Sequence, residues 1–152
     1  MMTAVRTLVS LLATPKPVVS VVVRLVDEIR SSVERLSTAE VESILGVVSD
    51  DFENPEVMDA LCLALEHHPA YVMSFGRCAG TFALRAPSQF RGQLARILNH
   101  EASRGELIDR RAGIEPRDLD AIVQVARVLA ARPGPRPGDG ARAFLARLDQ
   151  QH

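Results

Sequence analysis

Two cysteines and two histidines are the residues of this chain best suited to binding a metal. They are Cys62, His67, His68 and Cys78. A structural zinc site needs closely spaced pairs of Cys or His whose four ligand atoms converge, and this set lacks that spacing. The histidines lie at the end of a predicted helix, where a histidine interacts favourably with the negative end of the helix dipole. We therefore expect no metal here.

Cys78 is the residue best placed for nucleophilic chemistry, because Arg77 beside it would favour the thiolate. Its apolar neighbours at helical spacing are more typical of a buried, unreactive thiol. Gly76 and Gly80 lack the strand and the lysine of a phosphate-binding loop. Their four-residue spacing would instead let a neighbouring backbone approach closely. The Glu-x-x-His pairs of a di-iron bundle are also missing. The sequence predicts a non-enzymatic protein without a cofactor.

Charge is sorted along the chain. Residues 1–76 hold eleven Asp and Glu against five Lys and Arg, whereas residues 77–152 hold eight against thirteen. The net charge of −1 therefore hides two halves of opposite sign. Every charged residue from Glu40 to Glu66 is acidic, and every one from Arg77 to Arg96 is basic. Such sorting bears on binding and association more than on the fold.

The acidic segment has two interpretations. Its carboxylates can be solvated helix faces, some of them at a helix start where negative charge is favourable. Alternatively, they steer in a basic partner that binds less tightly as salt rises. The second is our functional hypothesis: a helical protein–protein interaction module such as an adaptor, a regulatory domain or an inhibitor, with an immunity protein for a basic toxin as a special case. The expected contact residues are Glu42, Asp50, Asp51, Glu53, Glu56 and Asp59.

Nucleic-acid binding is the alternative function. Arginine recognises phosphate through planar bidentate contacts, and seventeen arginines accompany the single Lys16, although codon preference explains that bias equally well. Against this function stand the near-neutral net charge and the scarcity of aromatic residues on which bases could stack. The candidate residues are Arg77, Arg85, Arg91 and Arg96.

A third interpretation of the basic half is more economical. Its arginines can face the acidic half of the same molecule, or that of a second copy in a two-fold or head-to-tail assembly. The two halves would then neutralise each other.

Apolar residues recur at helical spacing along most of the chain, and no segment alternates in the manner of a strand. Helix starts are marked by the capping-box pair Ser37 and Glu40, by Asn54 before Pro55, and by Pro116. We predict an all-α fold, a compact bundle of six to eight helices. A solenoid of stacked hairpins is less favoured because the helix starts share no repeat. The predicted helices are 3–13, 18–36, 38–49, 55–68, 70–85, 89–103, 116–131 and 141–148.

One domain accounts for most of the length. We predict a helical domain over residues 1–131, a Pro/Gly-rich linker over 132–140, and a short C-terminal helix within 141–152. That last helix either docks on the domain or awaits a partner.

A heptad-like apolar stripe runs from Val19 to Leu36. It is shorter than the three to four heptads that identify a coiled coil, so an internal seam is favoured. The stripe, the opposite charges and the C-terminal tail nevertheless each offer a route to a homodimer, which we predict. The apolar runs fall short of the roughly 20 residues that span a bilayer, and the two cysteines suit a reducing compartment. We expect a cytoplasmic protein.

Overall fold

The structure, a computed structural model, describes residues 2–133 and 138–150. Within those ranges the chain is all-α, as predicted, and forms no strand. The nine α-helices found there exceed the predicted six to eight. They are α1 (Thr3–Leu12), α2 (Val19–Arg30), α3 (Thr38–Leu45), α4 (Pro55–Leu65), α5 (Tyr71–Arg85), α6 (Pro87–Asn99), α7 (Glu101–Asp109), α8 (Pro116–Ala130) and α9 (Asp139–Gln150), with short 3-10 turns at Val33–Arg35 and Arg111–Gly113.

The additional helix comes from a break at His100. The sequence predicted one helix over 89–103, but His100 adopts an extended backbone, with φ −99° and ψ 114°, and separates α6 from α7. Its Nδ1 accepts a hydrogen bond from the Ser103 N–H at 3.3 Å and so acts as an N-cap. Gly105 lies inside α7. Histidine is not among the preferred N-cap residues, so the local sequence did not indicate a helix start here.

The predicted helix 18–36 also ends early. Ser31 and Ser32 donate their hydroxyl hydrogens to the carbonyls of Asp27 and Glu28, four residues back. Such bonds compete with the backbone ladder, and the chain leaves α2 at Arg30 before forming the 3-10 turn. The heptad-like stripe therefore spans two elements.

The capping box at the start of α3 is present in both directions. The Ser37 hydroxyl accepts from the Glu40 N–H, and the Glu40 carboxylate accepts from the Ser37 N–H, each at 3.1 Å. Glu40 also accepts from the Met2 N–H at 2.9 Å, so one buried carboxylate joins the starts of α1 and α3. Burial by itself raises the pKa of this carboxyl, but the hydrogen bonds from Ser37 and Met2 outweigh it, so the pKa lies below its usual value.

Helix α5 is the centre of the bundle, since it packs against α3, α6, α7 and α8. Its aromatic side chains build the middle of the core with one from α6. Phe75 stacks on Phe90 with ring centroids 5.0 Å apart, and Phe82 lies 5.7 Å from both. A central helix surrounded by four others makes the described part of the chain a compact all-α structure.

The two glycines of α5 do permit close packing. A Cβ added to Gly76 would lie 2.7 Å from the Ile114 side chain, and one added to Gly80 would lie 2.8 Å from Asp118 Oδ1. That buried carboxylate of α8 accepts a hydrogen bond from the Gly80 N–H at 2.7 Å. Gly80 thus lets α5 approach α8 closely, and Gly76 makes room for Ile114 just before α8.

The C-terminal helix docks on the bundle. Helix α9 packs against α6, α7 and α8, and it buries Phe144 completely. Its start is held by Asn99, whose side-chain oxygen accepts from the Gly140 N–H at 3.1 Å. Residues 134–137 of the predicted linker lie outside the described residues, as do residues 1, 151 and 152. No helix in the described part of the chain is long and apolar enough to span a membrane.

Candidate functional site

The candidate metal residues do not form a ligand cluster. Among residues 2–133 and 138–150, no three side chains of His, Cys, Asp or Glu are grouped to hold a metal ion. His68 is buried and has a structural role: its Nδ1 accepts from the Ala70 N–H at 3.0 Å. Its Nε2 must then carry the hydrogen, which it donates to the Leu36 carbonyl at 2.7 Å. The ring links the loop before α3 to the start of α5.

The two thiols are poorly ionised. Burial raises the pKa of Cys62 to about 12, and the carboxylates of Asp59 and Glu66 add to the shift. The pKa of Cys78 is also raised, first by burial and then by Glu42 and Asp118, although Arg77 and Arg85 oppose it. The environment of Cys78 therefore disfavours the reactive thiolate.

Half of the six predicted contact acids are engaged inside the molecule. Glu42 pairs with Arg77, whose Nη2 lies 2.9 Å from Oε1. The two carboxylate oxygens of Asp50 accept from the Ser88 and Gln89 N–H groups, each at 2.8 Å. Asp50 is thus the cap of α6. The third, Asp59, accepts from the Gln89 side-chain amide through Oδ1 at 3.0 Å.

The candidate nucleic-acid arginines are also largely engaged. Arg85 donates to the carbonyls of Leu45 at 2.5 Å and Val48 at 3.2 Å, which satisfies the end of α3. Arg96 forms a bidentate pair with Glu66 at 2.6 and 2.9 Å. With Arg77 paired to Glu42, only Arg91 of the four makes no ion pair or hydrogen bond to the described residues. Part of the charge sorting is therefore complementarity within one molecule.

Four of the six acids are exposed, on the loop before α4 and on its first two turns. Asp59 is one of them, because its hydrogen bond to Gln89 leaves it at the surface and without a cation. We call Asp51, Glu53, Glu56 and Asp59 the acidic cluster. All four are exposed, and none forms an ion pair with any Lys, Arg or His of the described residues. Negative charge at the start of α4 is favourable for the helix dipole. The charges of the four carboxylates are nevertheless not compensated by any ion pair within the described residues.

A groove begins at the acidic cluster and runs between α4 and α6. It has a volume of about 420 Å³. Side-chain bridges join the two helices at either end, Asp59 to Gln89 and Glu66 to Arg96. Each bridge spans 30 residues, so α4 and α6 run in the same direction. The lining between the bridges includes Leu63 and Gly92.

Sequence reasoning named Asp59 and Arg96 of the groove lining but missed Leu63 and Gly92. Leu63 falls off the buried stripe of its helix and is 41% exposed. Its departure from the stripe was a usable signal, although single exposed leucines are common. Nothing in the sequence indicated that Gly92 faces a groove, because a glycine within a helical pattern does not show which element packs beside it. Leu63 also lines a second groove of about 540 Å³ on the α2 side of α4.

Another cleft, of about 580 Å³, lies where α4 and α5 meet the junction of α6 and α7. Most of its polar groups already have partners. Glu66 and Arg96 neutralise each other, the Tyr71 hydroxyl donates to Gln93 Oε1 at 2.6 Å, and His100 caps α7. The contact of 2.9 Å between His100 Nδ1 and the Ser103 hydroxyl belongs to that cap. The cleft therefore presents no assembled set of reactive groups.

In comparisons with known proteins, the chain matches no family model, no curated protein and no solved structure.

Proposed function

We propose that the protein is a helical interaction module that docks a basic protein partner on the acidic cluster. The observation that carries the proposal is the contrast among its acids. Glu42, Asp50 and Glu66 are matched by arginines or by helix N–H groups of the same chain. The four acids of the cluster fall within residues 51–59, are exposed, and form no ion pair with a cation of the described residues. A partner carrying Lys or Arg would supply that charge.

This proposal narrows the predicted contact set. Glu42 and Asp50 leave it because an arginine and the N–H groups of α6 match their charges internally, whereas Asp51, Glu53, Glu56 and Asp59 stay. The internal partner of Asp59 is the uncharged amide of Gln89, which does not compensate its charge. An immunity protein for a basic toxin is one form that such a module takes. The nucleic-acid alternative has weaker support, because Arg77, Arg85 and Arg96 serve internal partners.

The test compares two variants with the same change in net charge. The first neutralises the acidic cluster by Asp51→Asn, Glu53→Gln, Glu56→Gln and Asp59→Asn. The control neutralises four exposed acids elsewhere, by Glu28→Gln, Glu34→Gln, Asp120→Asn and Asp149→Asn. Binding of a fluorescein-labelled lysine-rich peptide is measured by anisotropy at low and high salt.

We expect the wild type and the control variant to bind the peptide, and binding to weaken as salt screens the charges. The cluster variant should lose most of that affinity. Equal affinity of the two variants would show that only net charge matters and would contradict the proposal.

A further inference from the structure

We infer that the groove between α4 and α6 receives a basic amphipathic helix of the partner, with an apolar side chain of that helix inserted between Leu63 and Gly92. This inference rests on the proposed function and adds a location, a geometry and a partner class to it. It makes Leu63 and Gly92 specificity-determining residues.

The spacing of the two bridges sets the size of the opening. Asp59 and Glu66 are seven residues apart on α4, as are Gln89 and Arg96 on α6. At a rise of about 1.5 Å per residue, the opening is roughly 10 Å long, or two helical turns. The bridges hold the helices together at both ends, so the groove is formed before a partner arrives.

The absence of a side chain at Gly92 keeps the groove open. A Cβ built on this glycine would meet no other heavy atom within 4 Å, whereas those built on Gly76 and Gly80 would meet core atoms at 2.7 and 2.8 Å. Packing of the bundle therefore does not require glycine at position 92. Gly105 of α7 has the same open space, so an open glycine alone does not identify a site. At position 92 the open space faces the groove between α4 and α6, where a partner can approach the backbone closely.

Charge and polarity identify the occupant. Asp59 lies at one end of the groove, beside the rest of the acidic cluster, and its Oδ2 is not used in the bond to Gln89. Glu66 and Arg96 neutralise each other at the other end. Leu63 supplies apolar surface between them. Amphipathic helices bind by laying their apolar stripe into a groove. The apolar stripe of such a helix would contact Leu63, and lysines or arginines beside the stripe would pair with Asp59 and the rest of the acidic cluster.

The test uses a substitution that fills the groove without disturbing the core. Gly92→Gln adds a polar side chain where the structure has open space. Gly105→Gln is the matched control, because a Cβ at Gly105 also meets nothing within 4 Å and the residue lies on α7, outside this groove. Both changes replace a helical glycine with a better helix former. Thermal unfolding should show both variants folded and at least as stable as the wild type.

Two labelled peptides of identical composition serve as probes. Each has roughly 18 residues, about five helical turns, made of leucine and lysine. One carries its leucines on a single helical face, and the other has them shuffled. We expect the amphipathic peptide to bind more tightly than the shuffled one. Gly92→Gln should weaken binding of the amphipathic peptide by about tenfold, and Gly105→Gln by less than about twofold.

The outcomes separate this inference from the proposed function. If both peptides bind the wild type equally and Gly92→Gln has no effect, the groove is not the docking site, while loss of binding in the cluster variant would still support an acidic docking surface. If the cluster variant binds both peptides as well as the wild type does, the proposed function itself fails.

Discussion

At the residue scale, a carboxylate takes its role from groups far away in the sequence. Asp50 looked like a surface acid in an acidic turn, yet it binds two N–H groups of α6 that are 38 and 39 residues further along the chain. These are donors that the first turn of a helix leaves without an internal partner. The carboxylate also lies at the positive end of the helix dipole. Asp50 is therefore a cap supplied from a distant segment.

We predict that Asp50→Ala destabilises the fold by about 1 to 2 kcal/mol, the usual cost of losing a helix cap. The neighbouring Asp51 is exposed, so Asp51→Ala should change stability by less than about 0.5 kcal/mol. Urea unfolding of both variants provides the measurement. Equal stability of the two would contradict the capping role.

Glu40 predicts a dependence of stability on pH. Because its pKa is lower in the folded state than in the unfolded state, the folded protein prefers the carboxylate form. Its contribution is complete above the unfolded pKa of roughly 4.3 and is lost as pH falls through the folded pKa. Glu40→Gln should therefore destabilise the protein at neutral pH and much less in strong acid. Urea unfolding across that range tests this, and a constant difference between wild type and variant would contradict it.

The side-chain interactions that could be predicted from the sequence were the local ones. Ser37 and Glu40 form the capping box within a single helical turn, so their spacing in the sequence was enough to predict it. The bond of Arg85 to the Leu45 carbonyl spans 40 residues, and that of Asp118 to the Gly80 N–H spans 38. Such contacts depend on how the helices pack, which the pattern along one helix does not encode.

At the element scale, the start of α9 depends on the backbone of Gly140 fitting against the end of α6. A Cβ on this glycine would collide with the Leu98 carbonyl, a backbone atom that cannot rotate away. The Gly140 N–H also donates a hydrogen bond to Asn99, the last residue of α6, at this contact. The sequence located this helix two residues late and left its docking open, because glycine there resembled part of a linker.

Gly140→Ala should release the start of α9 and expose Phe144. We expect faster chymotryptic cleavage after Phe144 and a lower melting temperature, with most other helices retained in circular dichroism. Gly105→Ala is the control, since open space surrounds its Cβ and the change should be neutral or stabilising. Cleavage of Gly140→Ala at the wild-type rate would contradict this account of docking.

At the scale of the whole molecule, two features that had pointed to a homodimer are used within one chain. Val26 and Ile29, at the centre of the heptad-like stripe, are 2% and 0% exposed in the monomer. The opposite charges of the two halves partly pair with each other, as in Glu42 with Arg77. A homodimer remains a proposal, but its interface would have to use other surfaces.

Val26→Asp therefore tests whether the stripe is internal core. An unpaired charge buried at this position is strongly unfavourable, so we expect the variant to unfold. Circular dichroism and sedimentation equilibrium together give the readout. A dimeric wild type that this substitution turns into a folded monomer would show that the stripe is an intermolecular interface.

The central claim is that the uncompensated acids form the docking surface. The most direct test is to titrate the isotope-labelled protein with the amphipathic leucine–lysine peptide and to monitor the amide chemical shifts by NMR. The account predicts that the largest shifts occur in residues 51–63 of the acidic cluster and α4, and in residues 88–93 of α6. They should shrink as salt is added. Shifts concentrated elsewhere, for example around Asp118 and Asp120 on α8, would contradict it.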